Sequence, residues 1–399
     1  MKIETLPKEF EEARPIMQTI EAAGFEAYFV GGSVRDTLLH KEIHDVDIAT
    51  SAYPEEVKAL FHKTVDTGIE HGTVMILDHG IGYETTTFRT ESTYQDYRRP
   101  DSVTFVRSLK EDLKRRDFTI NALAMRENGE IIDLFAGLDD LNNGIIKAVG
   151  NPEERFNEDA LRMMRAVRFA SQLNFKIEVE TEKAITNHAE LLEKIAVERI
   201  QVEFIKMLLG QEPAVGLVSF VETGLFQYCP DFKDAQSALE SMIKIADLRL
   251  PNEATAWGLI CHLLNFSSPQ TSQFLKNWKT SNQMIESVLK TTKALNAILE
   301  NRVDNWMLYQ TGRTELINAI NLAQQLFAAT DEAGLLTQYD NLQIKSKKEL
   351  ALTGKDLMTA GVKPGPQMGQ ILAEVERKVV ENELTNSNDV LTEYVRNRK

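Results

Sequence analysis

The hydrophobic pattern changes period once, at Gly150-Asn151-Pro152, and no other feature of the 399 residues constrains the architecture as strongly. Before that point short apolar runs alternate with turn residues. AYFV (27–30) ends at Gly31-Gly32, and SVRDTLLH after it has helical spacing. VDIAT (46–50) reads as a strand, while HGTVMILD (71–78) and GYETTTFR (82–89) alternate with period two around His79-Gly80, a hairpin signal. IIDLF (131–135) and IIKAV (145–149) are two further strand candidates, separated by a Gly- and Asn-containing loop. From Glu153 to about Glu300 the apolar residues recur at helical spacing, as in Leu161, Met164, Val167 and Phe169, and few strand signals follow Glu180. The expectation is an α+β chain: a small mixed sheet in a head over 1–150, then helices. Gly354 and the Lys363-Pro364-Gly365-Pro366 turn punctuate a last helical segment, with 362–369 as a loop between helices.

Bulk properties exclude some functions and leave others open. A chain of this length suggests two to four domains, and 43% apolar with 26% charged residues is a globular composition. MKIETLPKEF lacks the basic-then-apolar pattern of a signal peptide. No window reaches the roughly 18 apolar residues of a membrane span. A cytoplasmic protein without a membrane partner is expected. Cys229 and Cys261 form no CxxC pair, which disfavours a disulfide framework and a thiolate zinc site. The net charge of −15 argues against a nucleic-acid partner. Local fields decide binding, however, and arginines are dense at Arg98, Arg99, Arg107, Arg115 and Arg116, and again at Arg155, Arg162, Arg165 and Arg168. If those clusters share a groove, the global charge loses.

Asp45-Val46-Asp47-Ile48 carries the chemistry. Side chains alternate along a strand, so the two aspartates share one face while Val46 and Ile48 enter the core. Two such carboxylates repel unless a cation sits between them. Oxygen ligands at this spacing suit Mg²⁺, which keeps waters and substrate phosphates in its shell. Alone, the pair could equally mark a solvated strand face. About a dozen residues earlier, though, Gly31-Gly32 ends a strand and opens a helix, where backbone amides can approach a phosphate. An HD-type phosphohydrolase at His44-Asp45 is disfavoured, because histidines 40, 62, 71, 79, 188 and 262 show no matching arrangement. A P-loop kinase is excluded by the lack of GxxxxGK[ST].

Strand, Gly-Gly, helix and Asp-x-Asp strand together resemble the nucleotidyltransferase superfamily that includes DNA polymerase beta. GGSVRDTLL with HDVDIAT, RRDFTINALA (115–124), RFNEDALRMMRAVRFA (155–170) and ERIQVEF (198–204) are similar to successive motifs of the class II tRNA nucleotidyltransferases, the CCA-adding enzymes. LTGKDLMTAGVKPGPQMGQIL (352–372) resembles the tail of their short Gram-positive form. Bacterial poly(A) polymerases share the first motifs and are the nearest alternative, as is an A-only adding enzyme. A catalytically silent tRNA-binding protein is disfavoured by the intact Asp45, Asp47 and Arg116.

The resemblance implies a DNA polymerase beta-like head over 1–150, a nucleotide-selecting neck over 151–210, a body over 211–310 and a tRNA-contacting tail over 311–399. It implies Mg²⁺ at Asp45 and Asp47, and a nucleotide-binding set of Gly32, Arg35, Arg116, Asp159, Arg162, Arg165 and Arg168. Asp159 and Arg162 would face the incoming base. Glu84 is a candidate third carboxylate or an exposed hairpin glutamate. Spacing agrees with the neck assignment, because Asp159, Arg162, Arg165 and Arg168 step by three along a helical face, although that pattern also fits a surface ion pair. The implied partners are the tRNA 3′ end, CTP and ATP. A homodimer is left open.

Overall fold

The computed structural model describes all residues except 44, 92–93, 96–98, 101–102, 328–329 and 398–399, and the side chains of 91, 94–95 and 99–100. Arg98 and His44 therefore lie outside the described residues, as does the Arg99 side chain. By contact density the chain forms two compact units, Met1–Ile243 and Lys244–Lys399.

The first unit opens with helix α1 (Lys8–Ala22), whose Phe10, Ala13, Ile16, Met17 and Ile20 are buried on one stripe. The stripe packs on strand β1 (Ala27–Val30), where the Phe10 and Phe29 rings meet edge-on at 4.7 Å. Helix α2 (Gly32–Leu38), β2 (Asp47–Thr50), α3 (Pro54–Leu60), β3 (Thr64–Gly68), β4 (Thr73–Asp78) and β5 (Ile81–Thr87) follow. Two small ladders come next, β6 (Arg89–Glu91) with β9 (Val103–Phe105) and β7 (Tyr94–Gln95) with β8 (Arg99–Pro100). Then come α4 (Leu109–Lys114), β10 (Leu123–Met125), β11 (Ile131–Asp133) and α5 (Gly137–Asn143). The main sheet has the order β11-β10-β1-β2-β5-β4-β3. It is mixed, because β2 and β5 run parallel while the other pairs are antiparallel. The hairpin turns at His79 and Gly80, both with positive φ.

Two details depart from the sequence pattern. The expected loop between IIDLF and IIKAV is helix α5. The Asp133 carboxylate accepts from the amides of Gly137 at 2.9 Å and Leu138 at 2.9 Å, satisfying the helix start from outside the segment. IIKAV contributes only β12 (Ile145–Ile146), which pairs in parallel with β13 (Lys176–Ile177).

The rest of this unit is helical: α6 (Pro152–Glu158), α7 (Leu161–Leu173), α8 (Val179–His188), α9 (Val197–Leu208), α10 (Pro213–Glu222) and α11 (Gln236–Ile243). Helix α7 packs against α9 and α10, and the rings of Phe204, Phe220, Phe226 and Phe232 cluster beneath them.

The second unit is built from α12 (Glu253–Leu263), α13 (Ser268–Asn277), α14 (Asn282–Leu299), α15 (Asn305–Thr311), α16 (Arg313–Leu326), α17 (Glu332–Asp340), α18 (Gly354–Thr359), α19 (Pro366–Val380) and α20 (Asn388–Arg396). Its core holds Trp257 and Trp278, both fully buried with centroids 5.1 Å apart. The loop expected over 362–369 ends at Gly365, because Pro366 occupies the first turn of α19, where its fixed φ is already helical. Among the described residues no helix is long and apolar enough to cross a membrane.

Candidate active site

Strand β1 delivers the chain to Gly31, whose φ of +75° is open to glycine at little cost. A Cβ at Gly31 would stand 3.3 Å from Arg116 Nη1 and 3.7 Å from Asp47 Oδ2, so the turn lies directly against both. Val30 pairs with Asp47, the first residue of β2, and Asp45 lies two residues before the ladder. Val46 and Ile48 are buried while the Asp45 and Asp47 side chains keep surface open to solvent, the alternation of an extended chain, although only Asp47 lies within β2 and its carboxyl is crowded by neighbouring atoms. In the parallel β2–β5 ladder Ile48 is opposite Thr85, which sets Glu84 beside Asp47 on the same face. Asp45, Asp47 and Glu84 border one pocket of about 450 Å³, with Glu9 and Glu12 on its wall.

The surroundings push the Asp47 carboxyl above its ordinary range. Burial is the largest cause and Glu84 adds to it, Arg116 opposes, and Asp45 adds again. Excess negative charge with one arginine against it is a setting that a cation relieves. Among the described residues no three His, Cys, Asp or Glu side chains form a closed metal site. Asp45 and Asp47 supply two hard oxygen ligands and leave positions for water and phosphate oxygens, a donor set that fits a divalent ion of the Mg²⁺ type.

On the other side of Asp47 opens a cleft of about 800 Å³, also lined by Gly31, Gly32 and a wall of arginines. Arg35 is nearly buried and bidentate to Asp36, at 2.8 and 2.9 Å, while its third nitrogen donates to Asn121 Oδ1 at 2.7 Å. Asn121 donates in turn to Asp117 Oδ1 at 3.1 Å, and Arg165 Nε donates to Asp117 Oδ2 at 2.7 Å. This chain ties α2 of the head to α7. Arg168 pairs with Glu203 at 2.9 Å. Burial lowers the Arg168 guanidinium to about 10 despite Glu203, which leaves it charged at neutral pH. The guanidinium carbons of Arg168, Arg35 and Arg165 stand 4.1, 5.1 and 5.5 Å from the Phe169 ring centre. Arg116 Nη2 reaches Asp112 at 3.4 Å.

Three guanidinium nitrogens of this wall, Arg116 Nε, Arg168 Nε and Arg199 Nη1, are buried without a hydrogen-bond partner. A buried unpaired donor costs about 1–3 kcal/mol, more when charged.

The arginine clusters thus share one groove only in part. Arg115, Arg116, Arg162, Arg165 and Arg168 line it, whereas Arg107 pairs with Glu56 and Arg155 with Glu158. The helical-face relation expected between Asp159 and Arg162 is absent. Asp159 stands in the break between α6 and α7, with φ −136°, and its carboxylate meets Arg199 at 3.2 Å. Arg162 is held instead by Glu158 at 2.9 Å and by the Arg115 carbonyl at 2.9 Å. A three-residue spacing places side chains together only within one continuous helix. Asp117, Asn121, Arg199, Glu203 and Lys206 belong to the same region, and no motif singles them out. Arg199, Glu203 and Lys206 lie at i, i+4 and i+7 on α9, a polar stripe whose first two members stand in the ERIQVEF pattern.

A glycine turn against paired carboxylates, opening on an arginine-lined cleft, defines the head of a nucleotidyltransferase with a helical remainder. Residues 27–147 match the family model described as Poly A polymerase head domain, and residues 248–395 match that of tRNA nucleotidyltransferase domain 2. The chain is 60% identical to the CCA-adding enzyme of Levilactobacillus brevis, over 99% of this chain and 100% of that one. It is 55% identical to the Lactiplantibacillus plantarum CCA-adding enzyme, over 99% and 98%. The crystal structure of the Bacillus stearothermophilus CCA-adding enzyme in complex with CTP superposes with a TM-score of 0.90 at 40% identity, covering 98% of each chain. The chain belongs to the CCA-adding enzyme family.

Proposed function

We propose that the protein adds C, C and A to the 3′ end of tRNA from CTP and ATP, without a nucleic-acid template and with release of pyrophosphate. One observation carries this reading. The arginine-lined cleft meets the paired carboxylates at the Gly31 turn, where a triphosphate and a reacting hydroxyl would have to come together. The tRNA 3′ hydroxyl attacks the α-phosphate in line, and the bond to the β-phosphate oxygen breaks. Arg116 and Arg168 place their positive charge at the wall of the cleft for phosphate oxygens, with Gly32, Arg35 and Arg165 completing the cradle. Asp45 and Asp47 would hold a divalent ion of the Mg²⁺ type, with Glu84 beside them. Such an ion, when bound, would supply a lowered pKa at the attacking hydroxyl and positive charge against the transferring group.

Base choice follows from donors and acceptors. Cytosine and adenine both present an exocyclic amine beside an unprotonated ring nitrogen, whereas uracil and guanine present a carbonyl beside an N–H. Asp159 is acceptor-only when ionised and Arg162 donor-only, so together they match the first pair and oppose the second. Mismatched, partly desolvated polar contacts cost several kcal/mol. Residues 1–150 act as catalytic head, 151–210 as neck, 211–310 as body and 311–399 as a tail gripping tRNA phosphates, in the cytoplasm.

The test is direct. Incubated with tRNA lacking CCA, the protein should add cytidines from CTP alone, nothing from UTP or GTP, and complete CCA only with CTP and ATP together. A ladder of adenosines from ATP alone would identify a poly(A) polymerase instead.

A further inference from the structure

Two ion pairs join α7 and its preceding turn to α9 along the cleft wall, Arg168–Glu203 and Asp159–Arg199. The first is deeply buried, while the second faces the cleft. Arg199 occupies the first turn of α9, where the partial positive charge of a helix start disfavours a cation. A carboxylate across from it offsets that cost. Asp159 lies in the break between helices, so its side chain is fixed from the start of α7 and from α9. Its Oδ1 accepts from the Leu161 amide at 3.1 Å and its Oδ2 from Arg199 Nη2 at 3.2 Å, so each oxygen has one defined partner. Arg199 Nη1 stays buried and unpartnered at the same wall. Arg162 is engaged by Glu158 and the Arg115 carbonyl, leaving Arg199 as the arginine that meets the Asp159 carboxylate.

We propose that Arg199 is a positioning residue for base selection, holding the Asp159 carboxylate in the orientation that accepts from the exocyclic amine of cytosine or adenine. This rests on the base-reading role of Asp159 set out above. Without Arg199 the carboxylate keeps only the Leu161 amide and can rotate about its side-chain bonds, which blurs the acceptor position. The reacting groups at Asp45 and Asp47 are untouched, so the loss falls on discrimination.

The test compares Arg199→Gln, Arg199→Lys, Asp159→Ala and the Asp159→Ala/Arg199→Gln double variant, by kcat and KM for CTP and UTP on tRNA lacking CCA, with Tm for each. Arg199→Gln should lower the CTP-to-UTP ratio of kcat/KM by about tenfold or more at unchanged Tm. Arg199→Lys, which restores a cation to Asp159, should recover most of that ratio. The double variant should be no less selective than Asp159→Ala alone, because one interaction has been removed twice. If Asp159→Ala loses selectivity while Arg199→Gln keeps it, the positioning role is overturned and base reading by Asp159 stands. If Asp159→Ala stays faithful, base reading by Asp159 fails and the proposal with it. A fall in Tm for Arg199→Gln that Arg199→Lys does not rescue would assign Arg199 to structure alone and overturn the proposal.

Discussion

Burial and then Glu84 drive the Asp47 carboxyl upward, and that shift sets a sign for stability. A carboxyl whose folded pKa is raised favours the fold below its unfolded value, about 3.9, and loses that contribution as pH rises through the folded value. Asp47→Asn should therefore raise the Tm of EDTA-treated protein at pH 7, with the difference vanishing near pH 3. The same variant should lose more than about tenfold in nucleotide addition, while gel-shift binding of tRNA is retained. Added Mg²⁺ should raise Tm for the parent and not for the variant. A variant as active as the parent would remove Asp47 from the site. Asp45→Ala should show the same loss of activity. Gly31→Ala tests the turn: a non-glycine residue at φ +75° costs about 1–2 kcal/mol, and its methyl group would press on Arg116 and Asp47. Nucleotide KM should rise even at temperatures where circular dichroism shows the variant folded.

At the scale of elements, the head and α7 are joined by the chain from Arg35 through Asn121 and Asp117 to Arg165. Burial alone would raise the Asp117 carboxyl, but Arg165, the Asn121 amide and the Phe118 amide outweigh it and hold it well below the usual range. For a depressed carboxyl the sign reverses: its stabilisation is complete above the unfolded value and lost as pH falls below it. Asp117→Ala leaves Arg165 facing an unpaired gap, at a cost of about 3 kcal/mol in urea unfolding at pH 7. The gap between parent and variant should narrow progressively below about pH 4. A constant difference down to pH 2 would assign the loss to packing instead.

Across the whole molecule, a net charge of −15 coexists with a strongly cationic cleft, which separates the two roles of charge. In the second unit Lys355 and Lys363 are exposed on α18 and the loop after it, while Leu357, Val375 and Leu391 are buried nearby in sequence. Deleting 352–399 would strip that core, so charge removal is the cleaner probe of the tail. Lys355→Ala/Lys363→Ala should weaken full-length tRNA binding several-fold and flatten its salt dependence. Binding of a short acceptor hairpin should not change. Equal losses on both substrates would show that the two lysines do not contact the distal part of tRNA.

Periodicity determined the secondary structure where the controlling forces are local: the β4–β5 hairpin and the helical texture after residue 150. Alternation in the extended chain entering β2 likewise determined that Asp45 and Asp47 share a face, because an extended backbone fixes side-chain direction without reference to any partner. What depended on distant partners was not legible. The capping of α5 by Asp133, the placing of Glu84 beside Asp47 through a parallel ladder, and the closure of Asp117 on Arg165 each join residues that only the folded chain brings together. The pairing of Asp159 shows the limit most clearly. Its spacing from Arg162 promised a helical neighbour, but a break of two residues between α6 and α7 cancelled the helical step, and the partner came from Arg199, forty positions away. Local periodicity is written in the chain because it arises from backbone geometry, whereas which charge meets which across a cleft is decided by packing between elements.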